Sequence, residues 1–394
     1  MYSKTEASRP RHPPVLRRRP ARGHARIALF GAAGLAALLL SVIAGCSIGP
    51  VSIRFADTLQ AILHAFGWLD HAGIPERDLT IVTAIRLPRV LVGVLVGAAL
   101  SVAGTAMQSV FRNPLVEPGY LGVSSGAAAG AVLVIASGFA QQASYALPLA
   151  AFAGALAAVV LILAIWQASG KPNVTKLLLL GIGINALLSA VINVVIASAP
   201  HEQQLRSIVF WLQGGLEART WEHVELIALP VATAVILIAL FSRTLNLLLL
   251  GDEHAQASGV PVQGARYAIL LLASFLTGTA VSVSGIIGFV GLVIPHLIRL
   301  LAGADHRYLL PLSALFGASF LVLADLASRM ILQPVTLQVG VVCACIGAPL
   351  FIMMLLRRRK EISHEGKPVD GARHGQAAAS GAAVLLHRGP SHYP

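Results

Sequence analysis

The sequence is short of charge. Only 12% of its 394 residues are Asp, Glu, Lys or Arg, and 56% are hydrophobic, whereas soluble domains carry about 25% charged residues. A soluble protein of this length could not hide so much apolar surface, so a lipid bilayer must be its solvent. The three cysteines form no CxxC pair and no disulfide framework. These shortages predict a polytopic membrane protein.

Acidic residues are also scarce, 17 against 29 Lys and Arg, which leaves a net charge of +12. The basic residues do not form a patch on a folded domain. They cluster in the N-terminal arm, RHPPVLRRRPARGHAR, and in the tail that begins with LLRRRK. Such clusters are typical of the cytoplasmic flanks of membrane proteins. The pattern therefore predicts a lipid environment and no nucleic-acid partner.

Uncharged runs long enough to cross a bilayer recur along the chain, since one crossing needs about 20 apolar residues. The run over 118–170 holds 53 residues and predicts two crossings that turn near Gly138 to Gln142. The run over 267–298 holds 32 residues, with a plausible break at SVSGIIG. Counting it as two crossings gives an all-α fold with about ten transmembrane helices.

Charge asymmetry supports that count. With ten spans and both termini in the cytoplasm, 22 Lys and Arg lie inside and 7 lie outside. A single crossing over 267–298 would place the RRRK tail outside, against the positive-inside rule. The sequence SVIAGCS around Cys46 resembles a lipoprotein cleavage box. Cleavage there would spoil this parity, so we interpret Cys46 as an ordinary residue at a helix end.

Motifs of catalysis and nucleotide binding are missing or out of context. No G-x-x-x-x-G-K-[ST] occurs, so the chain has no phosphate loop. Gly122 to Gly126 fits G-x-S-x-G, but a hydrolase elbow needs a strand before the serine. Here a charged turn precedes it, so Ser124 is interpreted as part of a packing turn between spans. Gly126 and Gly130 form a GxxxG pair, as do Gly93 and Gly97.

Polar residues within the spans are more informative, because hydrocarbon penalises them. Asn185, Ser189 and Asn193 recur every four residues and share one helix face. They are candidates for lining a translocation path, and interhelical hydrogen bonding is an equal alternative. Asp325 precedes Arg329 by four residues, so a local ion pair could be its whole role. His201 and His223 flank an outer loop. They could contact an iron-bearing ligand, but we favour the alternative that they are solvated loop histidines.

Four long stretches carry distinctive motifs. Residues 86–130 hold RLPRVLVGVLVGAALSVAGTAMQSVFRNPLVEPGYLGVSSGAAAG, and residues 245–260 hold LNLLLLGDEHAQASGV. The other two are the block 285–329, GIIGFVGLVIPHLIRLLAGADHRYLLPLSALFGASFLVLADLASR, and the last helix, 339–358. These stretches resemble the FecCD family of permeases, which belong to ABC importers for ferric siderophores, heme and cobalamin, and the likeness covers about residues 27–360. The segments 1–26 and 361–394 are unmatched and predicted to be disordered cytoplasmic flanks.

The resemblance implies a homodimeric permease of the bacterial inner membrane, with the translocation path at the dimer interface. It implies two separate ATPase subunits, which would hold ATP and Mg, and one periplasmic binding protein. The chain itself is expected to bind no cofactor or metal and to catalyse no reaction. Ferric siderophore is the first expectation for the substrate, then heme, then cobalamin. An intramembrane enzyme or receptor is the alternative from another class; it would need a convergent acid, base or metal set.

Site residues follow from the same resemblance. The arginines expected to dock the binding protein are Arg86, Arg89 and Arg329. The residues expected to contact the ATPase are Leu250, Gly251, Asp252, Glu253, Ala255 and Gly259. The sequence departs from the family pattern at Gln256, Ser258, Thr336 and Gln338. The first two departures bear on the ATPase contact, and the last two bear on the outer gate and docking surface near Arg329.

Overall fold

The computed structural model describes residues 21–70, 73–170 and 174–365. These residues form helices and no β-strand, as predicted. In chain order the fifteen α-helices among them are α1 (Ala21–Ser47), α2 (Phe55–Ala65), α3 (Glu76–Thr80), α4 (Leu87–Val110), α5 (Val123–Ala136), α6 (Ala146–Ala168), α7 (Val174–Ala197), α8 (Glu202–Leu212), α9 (Trp221–Leu240), α10 (Ser242–Leu249), α11 (Asp252–Ala257), α12 (Val262–Ser284), α13 (Val290–Ala302), α14 (His306–Met330) and α15 (Val339–Glu365).

The flanks predicted to be disordered lie largely outside the described residues. Helix α1 begins at Ala21 and α15 continues to Glu365, so both helices extend a few residues into those flanks. The described residues up to Pro349 form one compact unit, and those from Leu350 onward, which are the end of α15, belong to a second.

Ten apolar helices occupy the predicted runs. Among the described residues seven are long and apolar enough to cross a membrane, and three shorter ones are apolar as well: Val123–Ala136, Val290–Ala302 and Val339–Met353. The run over 118–170 divides at a 3-10 turn, Phe139–Gln141. The run over 267–298 breaks between Ser284 and Val290. The predicted polytopic, all-α fold is confirmed.

Two ends of the helix bundle can be distinguished. The end that carries Arg86, Arg89 and Arg329 is called the outer end below, following the charge-based prediction. Helices α2, α3 and α8 are short elements that share this end. The opposite end carries α10 and α11 and is called the inner end.

Glycines let neighbouring helices touch backbone to backbone. A Cβ on Gly126 of α5 would lie 2.4 Å from the Gly154 carbonyl oxygen on α6, and a Cβ on Gly97 would lie 2.4 Å from the Gly317 carbonyl oxygen. No side chain fits at these distances, so α5 packs on α6, and α4 on α14, only because these positions are glycine. The predicted role of these glycines in close packing is confirmed.

Candidate functional site

The segment predicted to contact an ATPase folds as α10 and α11 at the inner end. The two short helices meet at Gly251, whose φ of +118° favours glycine. Leu250 and Glu253 are exposed there, whereas Ala255 is buried beneath them. Gly259, with φ of +82°, ends the segment before α12. The exposed side chains form a surface that a partner could reach, and Ala255 anchors it to the bundle.

Asp252 is bonded within the chain, which sequence reasoning missed. Its carboxylate accepts hydrogen bonds from Arg266 Nη2 at 2.9 and 3.1 Å. It accepts another from Arg112, which follows the inner end of α4. The Arg266 side chain is 1% exposed, so Asp252 is the counter-charge of a buried guanidinium. Arg112 has φ of +49°, a conformation that L-residues seldom adopt. Asp252 therefore ties α11 to both α12 and α4.

Asn246 on α10 makes a second attachment. Its Oδ1 accepts the backbone N–H of His306 at 2.9 Å and lies 2.6 Å from His306 Nδ1. Its amide nitrogen donates to Asp305 Oδ1 at 2.8 Å. On the other side of the ring, His306 Nε2 lies 2.5 Å from Ser109 Oγ, in the last turn of α4. Helix α10 is thereby joined to the start of α14 and, through the imidazole, to α4.

Asp305 caps the N-terminus of α14. Partial burial alone would raise the pKa of its carboxyl. The hydrogen bonds from the Arg307 N–H and the Asn246 amide, with the nearby positive charge of Arg307, hold that pKa below its ordinary value instead. The cap is therefore ionised at neutral pH, where it complements the partial positive charge of the helix N-terminus.

Ser109, His306 and Asn246 resemble a nucleophile, a base and an orienting group in their spacing. Both the serine and the histidine are fully buried, and Ser109 Oγ also lies 2.8 Å from the Thr105 carbonyl oxygen. A substrate carbonyl cannot approach a hydroxyl that is enclosed by packed helices. The cluster is therefore a structural connection between α4, α10 and α14, and it gives no support to an intramembrane enzyme.

The loop between α4 and α5 turns back into the bundle. There Glu117 Oε1 accepts the backbone N–H of Phe289 at 2.9 Å, at the start of α13. Gly291, two residues further on, packs against Gly104, so α13 begins part-way along α4 rather than at its end. Phe289 has φ of +68°. The side chain of Glu117 thus caps a half-helix within the bundle. In transporters, the N-termini of half-helices inside the membrane point at anionic groups of the substrate.

At the outer end, Arg86 caps α1. Its Nη1 donates to the carbonyl oxygens of Cys46 and Ser47, both at 2.8 Å, and its Nη2 donates to that of Val51. The last carbonyls of a helix lack partners within the helix. Arg86 is 5% exposed and supplies those partners from the residue that immediately precedes α4.

Arg89 and Arg329 share one carboxylate. Arg89 donates to Asp325 Oδ1 from both Nε and Nη2, at 3.0 and 2.8 Å, and Arg329 Nε lies 3.1 Å from Asp325 Oδ2. Arg329 Nη2 also donates to the Gly45 carbonyl oxygen at 3.0 Å. The local pair of Asp325 and Arg329 is present, but it is not the whole role of Asp325. The carboxylate joins α4 to α14, and Arg329 joins α14 to α1.

The polar residues of α7 divide between two environments. Asn185 Nδ2 donates to the Gly119 carbonyl oxygen at 3.4 Å, whereas its Oδ1 is buried without a partner among the described residues. Ser189 and Asn193 are exposed on a face that no part of the described chain covers. Only 11% of the most apolar stretch of α7 is buried, so this helix offers most of its surface to lipid or to another subunit.

Among the described residues, seven helices long enough to cross a membrane, three shorter apolar ones and a half-helix that begins inside the bundle define a polytopic membrane protein. Residues 37–357 match the FecCD transport family. The chain is 41% identical over 336 residues to the hemin transport system permease protein HmuU of Yersinia pestis, covering 83% of this chain and 95% of HmuU. It is 43% identical over 289 residues to the cobalamin import system permease protein BtuC of Halobacterium salinarum, covering 73% of this chain and 76% of BtuC.

A solved structure shares the architecture. It is described as an inward-facing conformation of a metal-chelate type ABC transporter, and it superimposes with a TM-score of 0.74 at 30% identity. The match covers 84% of this chain and 99% of that one. The chain therefore belongs to the FecCD transport family and is an ABC transporter permease, as the resemblance in the sequence predicted.

Proposed function

We propose that this chain is the membrane subunit of an ABC importer that carries an iron chelate from the periplasm to the cytoplasm. In this proposal the permease is a homodimer in the bacterial inner membrane, with both termini in the cytoplasm. It works with two ATPase subunits and one periplasmic binding protein, and ATP and Mg are bound by the ATPase. Ferric siderophore is the substrate class that we propose first.

The observation that carries the proposal is the double attachment of the segment 245–260, called the coupling segment below, to the rest of the bundle. The sequence has no phosphate loop, so in an ABC importer this chain would receive the energy of ATP hydrolysis from another subunit. Asp252 and Asn246 connect the exposed surface around Glu253 to α12, α14 and the end of α4. Such a segment would move together with the helices that it contacts. A loop without these bonds could be displaced by a partner without moving the bundle.

The uncovered face of α7 supports the dimer and the path. Ser189 and Asn193 lie on a membrane helix, where polar groups are costly unless they meet protein or water. A second copy of the chain placed against α7 would enclose a water-filled path between the two copies. We propose that Ser189 and Asn193 line this path and that Asn185 borders it through its unpartnered Oδ1.

Docking of a binding protein remains our proposal for Arg86, Arg89 and Arg329. These arginines would dock the partner without rearranging, because their guanidiniums already hold α1, α4 and α14 together. The three arginines are only 5% to 15% exposed, so an acidic side chain of the partner would meet their charge at the margin of a preformed cluster instead of ordering flexible side chains. The cluster holds three arginines and one carboxylate, so a positive charge is left for complementary recognition.

Reporter fusions test the orientation. The proposed topology rests on 22 Lys and Arg inside against 7 outside. We expect fusions after Lys171, Arg266 and Lys360 to report the cytoplasm, and a fusion after His201 to report the periplasm. A periplasmic signal after Lys360 would contradict both the number of crossings and the placement of the coupling segment.

Substrate uptake tests the function. A strain that lacks this chain should lose energy-dependent uptake of one chelate and regain it when the full-length permease is expressed. Labelled ferric siderophores, hemin and cobalamin should be compared in the same strain. Hemin and cobalamin are included because HmuU and BtuC carry those names. Restored uptake of hemin or cobalamin alone would replace the siderophore proposal, and restored uptake of none would contradict import of these chelates.

A further inference from the structure

A cavity of about 810 Å³ opens at the outer end. It lies between the α5–α6 turn, α8 and the residues that lead into α9. Its volume falls within the range of small-molecule sites, about 300–1,000 Å³. The cavity wall includes Gln204, Phe210, Trp211, Glu217 and Arg219, and Arg206 lies at its exposed margin.

Three polar atoms in the cavity wall lack a hydrogen-bond partner in the part of the chain that the structure describes. They are Arg219 Nε, Trp211 Nε1 and Gln204 Oε1. Trp211 is 6% exposed, so its indole N–H is withdrawn from bulk solvent. The amide nitrogen of Gln204 is used to cap α5, donating to the carbonyl oxygens of Ile135 and Ala136 at 3.0 and 2.7 Å. Buried polar groups usually find partners, whereas these two donors and one acceptor are left unsatisfied within the cavity wall.

The two arginines of the cavity differ in their availability. Arg206 is exposed and paired with Glu202 on the same helix, at 2.6 Å. Within the described chain, Arg219 forms no ion pair; its Nη1 lies 3.4 Å from His223 Nε2. Burial and the charge of Arg89 lower the pKa of Arg219 to about 10, with Glu217 opposing them, so Arg219 is cationic at neutral pH.

The backbone beside Arg219 is strained. Ala218 has φ of +54°, and only Arg112 and Phe289 share a positive φ among the described residues other than glycine. Strain of this kind persists where the surroundings fix a functional side chain. Ala218 directly precedes Arg219, and both residues line the cavity.

We propose that this cavity receives an anionic, carboxylate-bearing metal chelate at the outer end, with Arg219 as the residue that binds the carboxylate. A guanidinium binds carboxylate oxygens through two parallel, charge-assisted hydrogen bonds. The indole N–H of Trp211 supplies a further donor, and the exposed ring of Phe210 supplies an apolar surface for the organic part of the chelate. The inference rests on the proposed function and adds the substrate class, anionic rather than neutral.

Binding to the full-length permease in lipid nanodiscs tests the cavity. Hemin, which carries two carboxylates, is the anionic probe, and cyanocobalamin is the large neutral probe; empty nanodiscs correct for partition into lipid. We expect Arg219→Gln to weaken hemin binding about tenfold, because a charge-assisted bond is lost. The matched control Arg206→Gln should change it less than about twofold, since Arg206 is already paired and exposed. Cyanocobalamin binding should be equal in all variants.

A second pair of variants separates a specific loss of binding from misfolding. Arg219→Lys keeps the charge and should retain most of the hemin affinity. Trp211→Phe keeps an aromatic ring but removes the N–H donor, so it should weaken hemin binding about threefold. Unchanged hemin affinity in Arg219→Gln, or an equal loss in Arg206→Gln, would overturn the cavity as a carboxylate site. So would parallel losses for cyanocobalamin, which would point to general damage.

Transport separates this inference from the proposed function. Uptake of hemin at limiting concentration that is ATP-dependent and identical in the wild type and Arg219→Gln would overturn the cavity and leave the importer standing. Absence of ATP-dependent uptake of every chelate tested would overturn the importer, whereas the nanodisc measurements would still decide the cavity.

Discussion

Replacement of Asp325 by asparagine should be the most destabilising of the changes considered. The side chain is 2% exposed and is the shared partner of Arg89 and Arg329. Its neutralisation would leave two largely buried guanidiniums without a counter-charge, and breaking a buried pair in this way costs about 3–5 kcal/mol. We expect a clearly lower midpoint of thermal unfolding in detergent and less permease in the membrane.

A matched control exists on the same side of the molecule. Glu202 pairs with Arg206 at 2.6 Å, but both side chains are more than 70% exposed, so solvent screens their attraction. Glu202→Gln should leave the unfolding midpoint almost unchanged. Equal midpoints for Asp325→Asn and Glu202→Gln would show that the cluster of Arg89, Asp325 and Arg329 does not hold the helices together.

The second large effect is expected at Asp252. Asp252→Asn should leave Arg266 buried without its carboxylate and release Arg112 from α11. Contact with the ATPase should survive, since the exposed Leu250 and Glu253 are untouched, but substrate transported per ATP hydrolysed should fall by about tenfold, a change worth ~1.4 kcal/mol. The measurement is ATP-driven uptake and ATP hydrolysis in the same proteoliposomes.

Neighbouring substitutions separate transmission from contact. Glu253→Gln removes an equal charge from the adjacent, exposed position and should keep transport coupled to hydrolysis. Glu253→Lys should weaken assembly with the ATPase, because it alters the surface that we propose to contact that subunit. Asn246→Ala, which removes the second attachment, should resemble Asp252→Asn. Full coupling in both Asp252→Asn and Asn246→Ala would contradict transmission through these bonds.

Much of the fold could be predicted from the sequence. Hydrocarbon demands long uncharged runs, so the positions of the ten apolar helices followed from the spacing of charges. The break between Ser284 and Val290 followed from the same constraint and from the charge asymmetry. The close contacts of Gly97 and Gly126 were predicted from small-residue spacing, because only glycine lets two helix backbones approach so closely.

The sites were predicted less completely, because sequence distance hides the partners. Asn246 and His306 are 60 residues apart, and Glu117 and Phe289 are 172 apart. Before the helices are packed, nothing distinguishes Asn246 from any polar residue near a membrane surface. Arg219 likewise appeared to be one basic residue of an outer loop, and only its missing partner in the cavity wall marks it as a candidate ligand group.

The sequence by itself determined the lipid environment, the secondary structure and the family, since these depend on composition, on the length of apolar runs and on contiguous motifs. Only the tertiary structure decided which charges are paired. It showed that Asp252 forms an ion pair with the buried Arg266, that Asp325 joins α4 to α14, and that Arg219 has no ion-pair partner in the described chain. The physical reason is that apolar burial acts on whole segments, whereas an ion pair or a hydrogen bond requires particular atoms within about 3 Å.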